Sequence, residues 1–453
     1  MERIEAAREE HLYTLWQRLA DHRRAFTSSD GRILHIIECG TRNHDAGPDF
    51  LNALVRIDGA LHRGDVEIHN TPREWYTHHH HLDRRYNQVL LHLVFKSCPP
   101  DYVTQRQDGS VALTLSLPDW RPDTTSPDES ASSSFSCALS ERETPFIMAQ
   151  LARRGGERFE QHQASFLELR PDHSWEQILY YGLLSGLGYG KNGLPFRRLA
   201  FVLPVTLLWQ AVATMADDPA VELCEALLFG AAGLLEESTQ TSVHGTPSYP
   251  ARLAHLFAQW RDRGKIDVLE PECWQFFRLR PNNFPTRRLA AAAALAVRYR
   301  ESGFLHPLLG ISKRSSDPAN ALRALTEIGR VEARGYWCTH YHFGRRAVSR
   351  TPGRCACLVG PARSRNLVIN VLLPILAAYA GECEDGHLRA RACALYTHCP
   401  AGEESVTQRA VYRRLKLDTR TPAPVLTGHH AQGLLQLQQR WCGHNRCAAC
   451  LSG

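Results

Sequence analysis

The chain has 453 residues, of which 43% are hydrophobic and 22% are charged, so its composition is that of a globular protein long enough for two or three domains. Its N-terminal segment MERIEAAREEH lacks the apolar stretch of a secretory signal, and no run of about 18 uninterrupted apolar residues is available to span a membrane. The sequence therefore predicts a cytoplasmic protein without membrane contacts. Its fourteen cysteines are expected to be reduced thiols or metal ligands, not a disulfide framework.

Residues 3–95 carry the hydrophobic patterns of a mixed α/β unit. Apolar residues at helical spacing predict an amphipathic opening helix, and alternating apolar residues predict strands after it. The pair Asp58-Gly59 between two alternating segments is typical of a type I′ hairpin turn, because that turn needs positive φ at both central residues. The predicted elements are, in order, a helix over 3–24, a strand over 32–39, a hairpin around Asp58-Gly59, a short helix from Pro72 to about Tyr86 and a buried strand over 89–95.

The hairpin is predicted to gather acidic and imidazole side chains. Glu67 and His69 are two positions apart on its second strand, so both side chains leave the same face of the sheet. Asp49 begins the first strand, and a hairpin of this length can bring it close to Glu67. Two carboxylates and one imidazole around one point predict a site for a hard metal ion.

Four consecutive histidines, from His78 to His81, follow the hairpin. On a helix, His78 and His81 would share a face, and four adjacent imidazoles cannot all bind one ion. We expect His78 or His80 to complete the metal site, and the alternative is a polar surface segment. His92 lies in an apolar strand and is predicted to be a hydrogen-bonded core histidine.

Composition divides the remaining chain into further regions. Residues 118–140 begin with a stretch rich in Pro, Ser and Asp, which predicts a linker after a first domain over 1–117. Apolar residues at helical spacing predict a helical domain over 141–310 and a mostly helical region over 311–453.

Arginines cluster in two stretches without acidic residues, 278–300 and 333–381. Arginine forms bidentate contacts with phosphate, and such clustering is the usual electrostatic footprint of a nucleic-acid-binding protein. The alternative interpretation is two solvated, arginine-rich helix faces. The arginines predicted to bind nucleic acid are Arg280, Arg287, Arg288, Arg345 and Arg346.

The C-terminus contains three cysteines within nine residues, Cys442, Cys447 and Cys450. A short Cys-x2-Cys segment presents two sulfurs to one ion, and Cys399, next to Pro400, is the predicted fourth ligand. Such a set would hold a tetrahedral Zn²⁺ or a [4Fe–4S] cluster in a structural role. His444 is an alternative to one of the thiols, and ordinary reduced cysteines are the alternative to the whole site.

Several motifs resemble those of an uncharacterised bacterial family, domain of unknown function 2851. They include AGPDF at 46–50, GDVEIH at 64–69, the histidine segment that follows, LRPNNFPTRRLA at 279–290 and NLVINVLLP at 366–374. The resemblance covers most of the chain, but it implies no activity.

The order of helix, strand, hairpin, helix and strand also resembles the core of the PD-(D/E)xK nucleases. Pro48-Asp49 matches the first motif of that superfamily, and Glu67-x-His69 matches the second, with His in place of Lys. The resemblance implies that Asp49 and Glu67 bind Mg²⁺ or Mn²⁺ and that His69 orients or deprotonates the attacking water. It also implies that Glu10 or Glu9 adds a carboxylate from the first helix. The functional interpretation of the histidine run is that His78 or His80 completes the metal site or contacts the scissile phosphate.

The sequence as a whole predicts an α+β protein. We expect an N-terminal PD-(D/E)xK-like mixed sheet with flanking helices, followed by a large helical domain with a C-terminal cysteine cluster. The leading functional hypothesis is a metal-dependent nuclease that acts on DNA or RNA, with a protein partner unspecified. The alternatives are an inactive nucleic-acid-binding or scaffold protein of the same fold and a metal-dependent hydrolase of another substrate.

Overall fold

A computed structural model describes most of the chain, which divides into two compact units, Met1–Ser132 and Ser133–Gly453. The described residues are Leu12, Tyr13, Leu15, Trp16, Leu19, 25–43, 46–99, 102–117, 137–235, 248–277, 279–314, 316–346, 357–444 and Cys450.

The first unit is built on a mixed, eight-stranded sheet. Its strand order is β1-β2-β4-β5-β6-β8-β7, and β3 pairs with β4 at the side of this path. Neighbours from β1 to β5 are antiparallel, whereas β5, β6 and β8 are parallel to one another. The strands are β1 (Ala25–Thr27), β2 (Ile33–Glu38), β3 (Thr41–Arg42), β4 (Phe50–Ile57), β5 (Ala60–His69), β6 (Val89–Val94), β7 (Thr104–Gln105) and β8 (Val111–Ser116).

The predicted hairpin joins β4 to β5. Ile57 pairs with Ala60, and the two residues between them, Asp58 and Gly59, have φ values of 47° and 91°. Both values are positive, as the type I′ turn requires. The Asp58 carboxylate also accepts a hydrogen bond of 3.0 Å from the Ile33 backbone N–H, which ties the turn to β2.

The two faces of the central strands differ in chemistry. Val66 and Ile68 of β5 pair with Leu91 and Leu93 of β6, and all four side chains are buried in one apolar cluster. Trp16 of the opening helix belongs to the same cluster and is fully buried. Because side chains alternate along a strand, the residues between these apolar positions lie on the opposite face. There the register pairs Glu67 with His92 and His69 with Val94.

The segment after β5 contains a shorter helix than the sequence predicts. Helix α1 (Glu74–Thr77) ends before the histidine run, and two 3₁₀ turns, His80–Leu82 and Arg84–Tyr86, follow it. The prediction of one helix from Pro72 to Tyr86 was therefore wrong. The physical reason is His79, whose left-handed conformation (φ 59°) cannot continue a right-handed helix.

The second unit is helical, and one large apolar cluster runs through it. Residues on both sides of position 310, such as Leu227 and Leu376, belong to this cluster, so the core continues across that predicted boundary. Together with the mixed sheet of the first unit, this helical unit confirms the expected α+β class. The helices are α2 (Thr144–Leu167), α3 (Trp175–Val202), α4 (Val205–Val212), α5 (Asp217–Ala231), α6 (Tyr249–Gly264), α7 (Pro285–Arg298), α8 (Leu305–Arg314), α9 (Pro318–Gly329), α10 (Pro361–Leu367), α11 (Leu373–Glu382), α12 (Gly386–His398), α13 (Val406–Arg414) and α14 (Gly428–Arg440).

A single helical stretch among the described residues, Pro361–Glu382, is long and apolar enough to cross a membrane by length and composition. It comprises α10, a π-helical turn (Val368–Leu372) and α11. Its most apolar window is 72% buried within the protein, as in the core helix of a helical unit. Length and composition alone are therefore weak grounds for a membrane span here.

Replacing the fully buried Leu91 with Ala is expected to destabilise the first unit by about 2–5 kcal/mol, because the change leaves a cavity between β6 and the apolar cluster. Leu61→Ala on β5 is the matched control, since Leu61 is 57% exposed, and its effect should stay within about 0.5 kcal/mol. Hydrogen exchange of peptides from β4, β5 and β6 in the full chain measures the difference. Equal protection in the two variants would contradict this account of the core.

Candidate metal centre

Glu67 and His69 project from the end of β5 on the polar face of the sheet. Each is only 5% exposed. Glu67 Oε2 accepts a hydrogen bond of 3.0 Å from the Asp49 backbone N–H, and Glu67 Oε1 lies 3.5 Å from His69 Nε2. One carboxylate oxygen is thus anchored to the start of β4, and the other faces an imidazole.

Asp49 lies beside Glu67, as the sequence predicts, and it braces the ends of two strands. Its Oδ1 accepts a hydrogen bond of 2.7 Å from the Tyr13 hydroxyl, and its Oδ2 accepts one of 2.9 Å from the Ile68 backbone N–H. Both oxygens therefore contact protein donors, which orients the main chain around Glu67. A role for Asp49 as a direct metal ligand stays a prediction.

The turn at His79 directs its two neighbours toward Glu67 and His69. His78 Nδ1 lies 3.2 Å from His69 Nε2, and His80 Nε2 lies 3.1 Å from Glu67 Oε1. His80 is only 9% exposed, whereas His78 is exposed. The cluster therefore has a buried inner wall and opens to solvent at His78.

His69, His78 and His80 each offer a ligand atom, and these atoms lie within 4.8 Å of one another. Two ligands of one tetrahedral Zn²⁺, each bound at about 2.0–2.1 Å, are about 3.4 Å apart. The separations of 3.1–3.5 Å that link His78 to His69, His69 to Glu67 and Glu67 to His80 are close to that value. The donor set therefore fits a single ion bound by three imidazoles, with a carboxylate alongside.

His80 Nε2 has a further feature of a ligand atom. It is buried without a hydrogen-bond partner in the described part of the chain, because its 3.1 Å approach to Glu67 Oε1 does not have hydrogen-bond geometry. A buried polar atom without a partner is costly unless something else binds it. The ring itself is held firmly: it stacks on Tyr86 with centroids 3.9 Å apart and meets Trp75 edge-on at 5.5 Å.

Burial keeps the imidazoles neutral. It lowers the pKa of His69 well below its usual value, and the neighbouring His92, His80 and His78 lower it further. Burial also lowers the pKa of His80 to about 4, although the Asp49 and Asp83 carboxylates oppose that shift. Only a neutral imidazole can bind a metal ion, so these rings are competent ligands at pH 7 without losing a proton.

His92 lies directly behind His69 and is fully buried. Its Nε2 is 2.9 Å from His69 Nδ1, and its Nδ1 is 2.9 Å from Thr104 Oγ1. Thr104 Oγ1 is in turn 2.8 Å from Thr114 Oγ1. The expectation of a hydrogen-bonded core histidine is met, but the sequence analysis missed the link to His69. The alternation in Leu91-His92-Leu93 places His92 on the opposite face of β6 from the two leucines. Once β6 is known to pair with β5, this alternation predicts that His92 lies beside the polar residues of β5.

Comparison with known proteins places the chain in a family. The family described as protein of unknown function (DUF2851) matches residues 9–405. The chain belongs to the DUF2851 family. No curated protein and no solved structure matches it. The family assignment made from the sequence motifs is thus confirmed, and the resemblance to the PD-(D/E)xK nucleases remains a hypothesis.

In this DUF2851 protein the described cysteines of the predicted C-terminal site lie in two different apolar clusters. Cys399 is buried in the large apolar core of the second unit, and burial raises the pKa of its thiol to about 12. Cys442 and Cys450 belong to a different apolar cluster, beside α14.

Cys447 and Glu10 lie outside the described residues, so their predicted roles stay predictions. Cys338 is disulfide-bonded, which differs from the expectation that all cysteines are reduced or metal-bound.

The five arginines predicted to bind nucleic acid fall into two groups. Arg287 and Arg288 are 1% and 4% exposed and lie within α7. Arg287 donates hydrogen bonds of 2.8 Å to the carbonyls of Trp337 and His340, and Arg288 donates to the carbonyl of Leu358. This pair therefore holds loops onto α7 and presents little surface to a polyanion. The exposed residues, for which nucleic-acid binding stays a prediction, are Arg280, Arg345 and Arg346.

We expect the metal-free protein to lose stability as the pH falls from about 6.5 toward 4. In the folded state His80 stays neutral down to about pH 4, and His69 and His92 are also held neutral, whereas unfolded imidazoles gain protons below about pH 6.5. The unfolded state then binds more protons, so the free energy of unfolding decreases on acidification.

The pH dependence of the melting temperature, measured with a chelator present, tests this expectation. The slope should be shallower in His80→Gln than in the wild type, because one depressed pKa is removed. His62→Gln is the control, since His62 is exposed on the same strand as His69, and it should keep the wild-type slope. A wild-type slope in His80→Gln would contradict the account of a neutral, buried ring.

Proposed function

We propose that the N-terminal unit is a metal-dependent hydrolase that cleaves phosphodiester bonds of nucleic acids. The observation that carries the proposal is the convergence of His69, His78 and His80 ligand atoms within 4.8 Å, with Glu67 Oε1 3.1–3.5 Å from two of them. A site of this kind on the rim of a sheet, buried on one side and open at His78, has the features of a catalytic metal centre.

The ligand atoms limit which metal ions the site can bind. Three imidazole nitrogens favour borderline ions such as Zn²⁺ or Fe²⁺, whereas Mg²⁺ and Mn²⁺ prefer oxygen ligands. Zn²⁺ thus fits the ligand set better than either of the two ions expected from the nuclease resemblance. A bound ion would lower the pKa of a coordinated water toward neutrality and polarise a phosphoryl oxygen.

The protein groups around the ion have separate tasks in this proposal. His69, His78 and His80 would hold the ion, and Glu67 would accept the proton of the attacking water through Oε1. Asp49 orients Glu67, because its backbone N–H donates to Glu67 Oε2. The Asp49 carboxylate holds that backbone in place by accepting from the Tyr13 hydroxyl and the Ile68 N–H, and Asp49→Ala removes these contacts. This division departs from the sequence-based assignment, in which Asp49 and Glu67 bound the ion and His69 activated the water.

Nucleic acid as substrate is supported by two features outside the ligand set. The order of elements along the sequence around Asp49 and Glu67 resembles that of the nuclease core, and Arg280, Arg345 and Arg346 are exposed cations suited to phosphate. Two alternatives remain as proposals. Histidine at position 69 in place of lysine favours a binding-only protein, and the three-imidazole set favours a hydrolase of another substrate. A zinc or iron–sulfur site at the C-terminal cysteines and a cytoplasmic location also remain proposals.

Metal binding is the first expected outcome. Titration of chelator-treated protein with Zn²⁺ or Mn²⁺ should show one equivalent that is lost in His80→Gln and kept in His62→Gln. Comparing these two variants separates the site from the C-terminal cysteines, which both variants retain. Equal metal content in wild type and His80→Gln, measured by elemental analysis, would rule out this centre.

Cleavage is the second expected outcome. With Mn²⁺ or Zn²⁺, labelled single- and double-stranded DNA and RNA should be cut, and Glu67→Gln should slow cleavage by roughly 100-fold or more, because the water loses its base. Asp49→Ala should also slow it, and His62→Gln should leave the rate unchanged.

The pattern of failures distinguishes the alternatives. Cleavage that persists in Glu67→Gln would place the activity elsewhere. Salt-sensitive binding of nucleic acid without divalent ions and without cleavage would favour the binding-only protein. Metal binding without any affinity for polyanions would favour a hydrolase of another substrate.

A further inference from the structure

Four buried side chains form one hydrogen-bonded chain behind the candidate metal centre. It runs from Thr114 Oγ1 to Thr104 Oγ1 (2.8 Å), from there to His92 Nδ1 (2.9 Å), and from His92 Nε2 to His69 Nδ1 (2.9 Å). The exposed fractions are 3% for Thr114, 0% for Thr104, 0% for His92 and 5% for His69. We call these four residues the His69 chain.

The His69 chain spans neighbouring strands of the sheet and contains no charged group. The register pairs Thr114 of β8 with His92 of β6, and His92 with Glu67 of β5, while Thr104 comes from β7. Burying two hydroxyls and two imidazoles is favourable only if they satisfy one another. Valine would fill the threonine positions at similar volume without that requirement, so the hydroxyls need an explanation beyond packing.

A neutral imidazole carries one ring proton, so the chain has two arrangements. In the first, His69 bears its proton on Nε2, and every hydrogen bond behind it points toward His69. In the second, His69 bears its proton on Nδ1, donates to His92 Nε2, and the bonds point away toward Thr114. The second arrangement leaves His69 Nε2 with a lone pair toward the cluster. Both arrangements hold the same number of protons. To exchange one for the other, each imidazole must move its proton between Nδ1 and Nε2, and each hydroxyl must rotate.

We propose that His92, Thr104 and Thr114 are positioning residues that hold His69 in the Nδ1–H tautomer when an ion is bound. This inference rests on the proposed metal centre and extends it beyond the ligands. Metal-bound imidazoles usually donate their second N–H to an acceptor that fixes the ring, and loss of such an acceptor typically weakens metal binding roughly 10- to 100-fold. Here the acceptor is another neutral imidazole, and the threonine hydroxyls set its tautomer in turn.

The proposal assigns a specific task to each member. His92 Nε2 accepts a hydrogen bond from the His69 Nδ1–H, and this is possible only if the His92 proton is on Nδ1. Thr104 Oγ1 accepts a hydrogen bond from the His92 Nδ1–H and donates its own hydroxyl in a hydrogen bond to Thr114 Oγ1. A valine at position 104 leaves the His92 Nδ1–H buried without an acceptor and favours the opposite tautomer. That tautomer would place an N–H against His69 Nδ1 and keep the His69 proton on Nε2, where the ion must bind.

Zinc affinity of the full chain, measured by competition with a coloured chelator, tests the proposal. Thr104→Val should weaken the site roughly 10- to 100-fold, whereas Thr104→Ser, which restores the hydroxyl, should bind like the wild type. Thr114→Val should have a smaller effect, because Thr104 then loses only its own acceptor. The melting temperature of each metal-free variant checks that it folds.

The tautomers give a second readout that packing alone would not change. With ¹⁵N-labelled histidine, the zinc-bound wild type should show His69 and His92 as Nδ1–H tautomers, assigned with His69→Gln and His92→Gln. Thr104→Val should lose the Nδ1–H signature at His92, and Thr104→Ser should keep it.

The outcomes separate the two proposals. If the wild type binds zinc, His80→Gln does not, and Thr104→Val shows wild-type affinity and tautomers, the positioning role is overturned and the metal centre stands. If the wild type binds no zinc at this site, both are overturned. If all position-104 variants weaken equally, the effect comes from packing and the hydrogen-bond role is overturned.

Discussion

The parallel register between β5 and β6 is the constraint on which the rest of the first unit depends. It sets Val66 and Ile68 beside the apolar residues of β6 and, on the other face, sets Glu67 beside His92. A slip of one residue would move every side chain to the opposite face and bury carboxylate and imidazole groups in the apolar cluster. Stability of the core and geometry of the candidate site are thus fixed by the same hydrogen bonds. Gly64 marks how closely the strands approach, since a Cβ there would lie 2.6 Å from that of Leu90.

The second element of the site is a strained turn. A non-glycine residue in the left-handed region costs on the order of 1 kcal/mol or more, and His79 adopts it between two residues that both face the cluster. The flanking Trp75 and Tyr86 are buried and hold the segment against the sheet, which offsets that cost. The result is that His78 and His80, two positions apart, approach one point from a turn and not from a helix.

How far the sequence predicts this structure depends on whether a feature is local. The type I′ turn at Asp58-Gly59 and the shared face of Glu67 and His69 follow from local rules, and the structure has both. The end of α1 does not, because helix propensity gives no sign of the left-handed conformation at His79. The partnership of His92 with His69 needs the strand order, and the burial of Arg287 needs tertiary contacts that the sequence does not display. Strand pairing and burial depend on residues that are distant in the sequence. Patterns in a single sequence therefore predict the helices and strands but not the contacts between them.

The energetics of the cluster favour a ligand over a purely structural role. Neutral imidazoles gain only single hydrogen bonds from one another, such as those of His69 with His78 and His92, and an apolar set of similar volume would fill the same space without needing them. The depressed pKa values of His69 and His80 show that burial prevents these rings from gaining a favourable charge near neutral pH. Binding of an ion would offset that cost, because ligands that are already neutral and fixed in position need no deprotonation and little further ordering. The exposure of His78 is the feature that distinguishes a structural centre from a catalytic one. A centre that only stabilised the fold would be closed on all sides, whereas a centre that acts on a substrate needs an open approach.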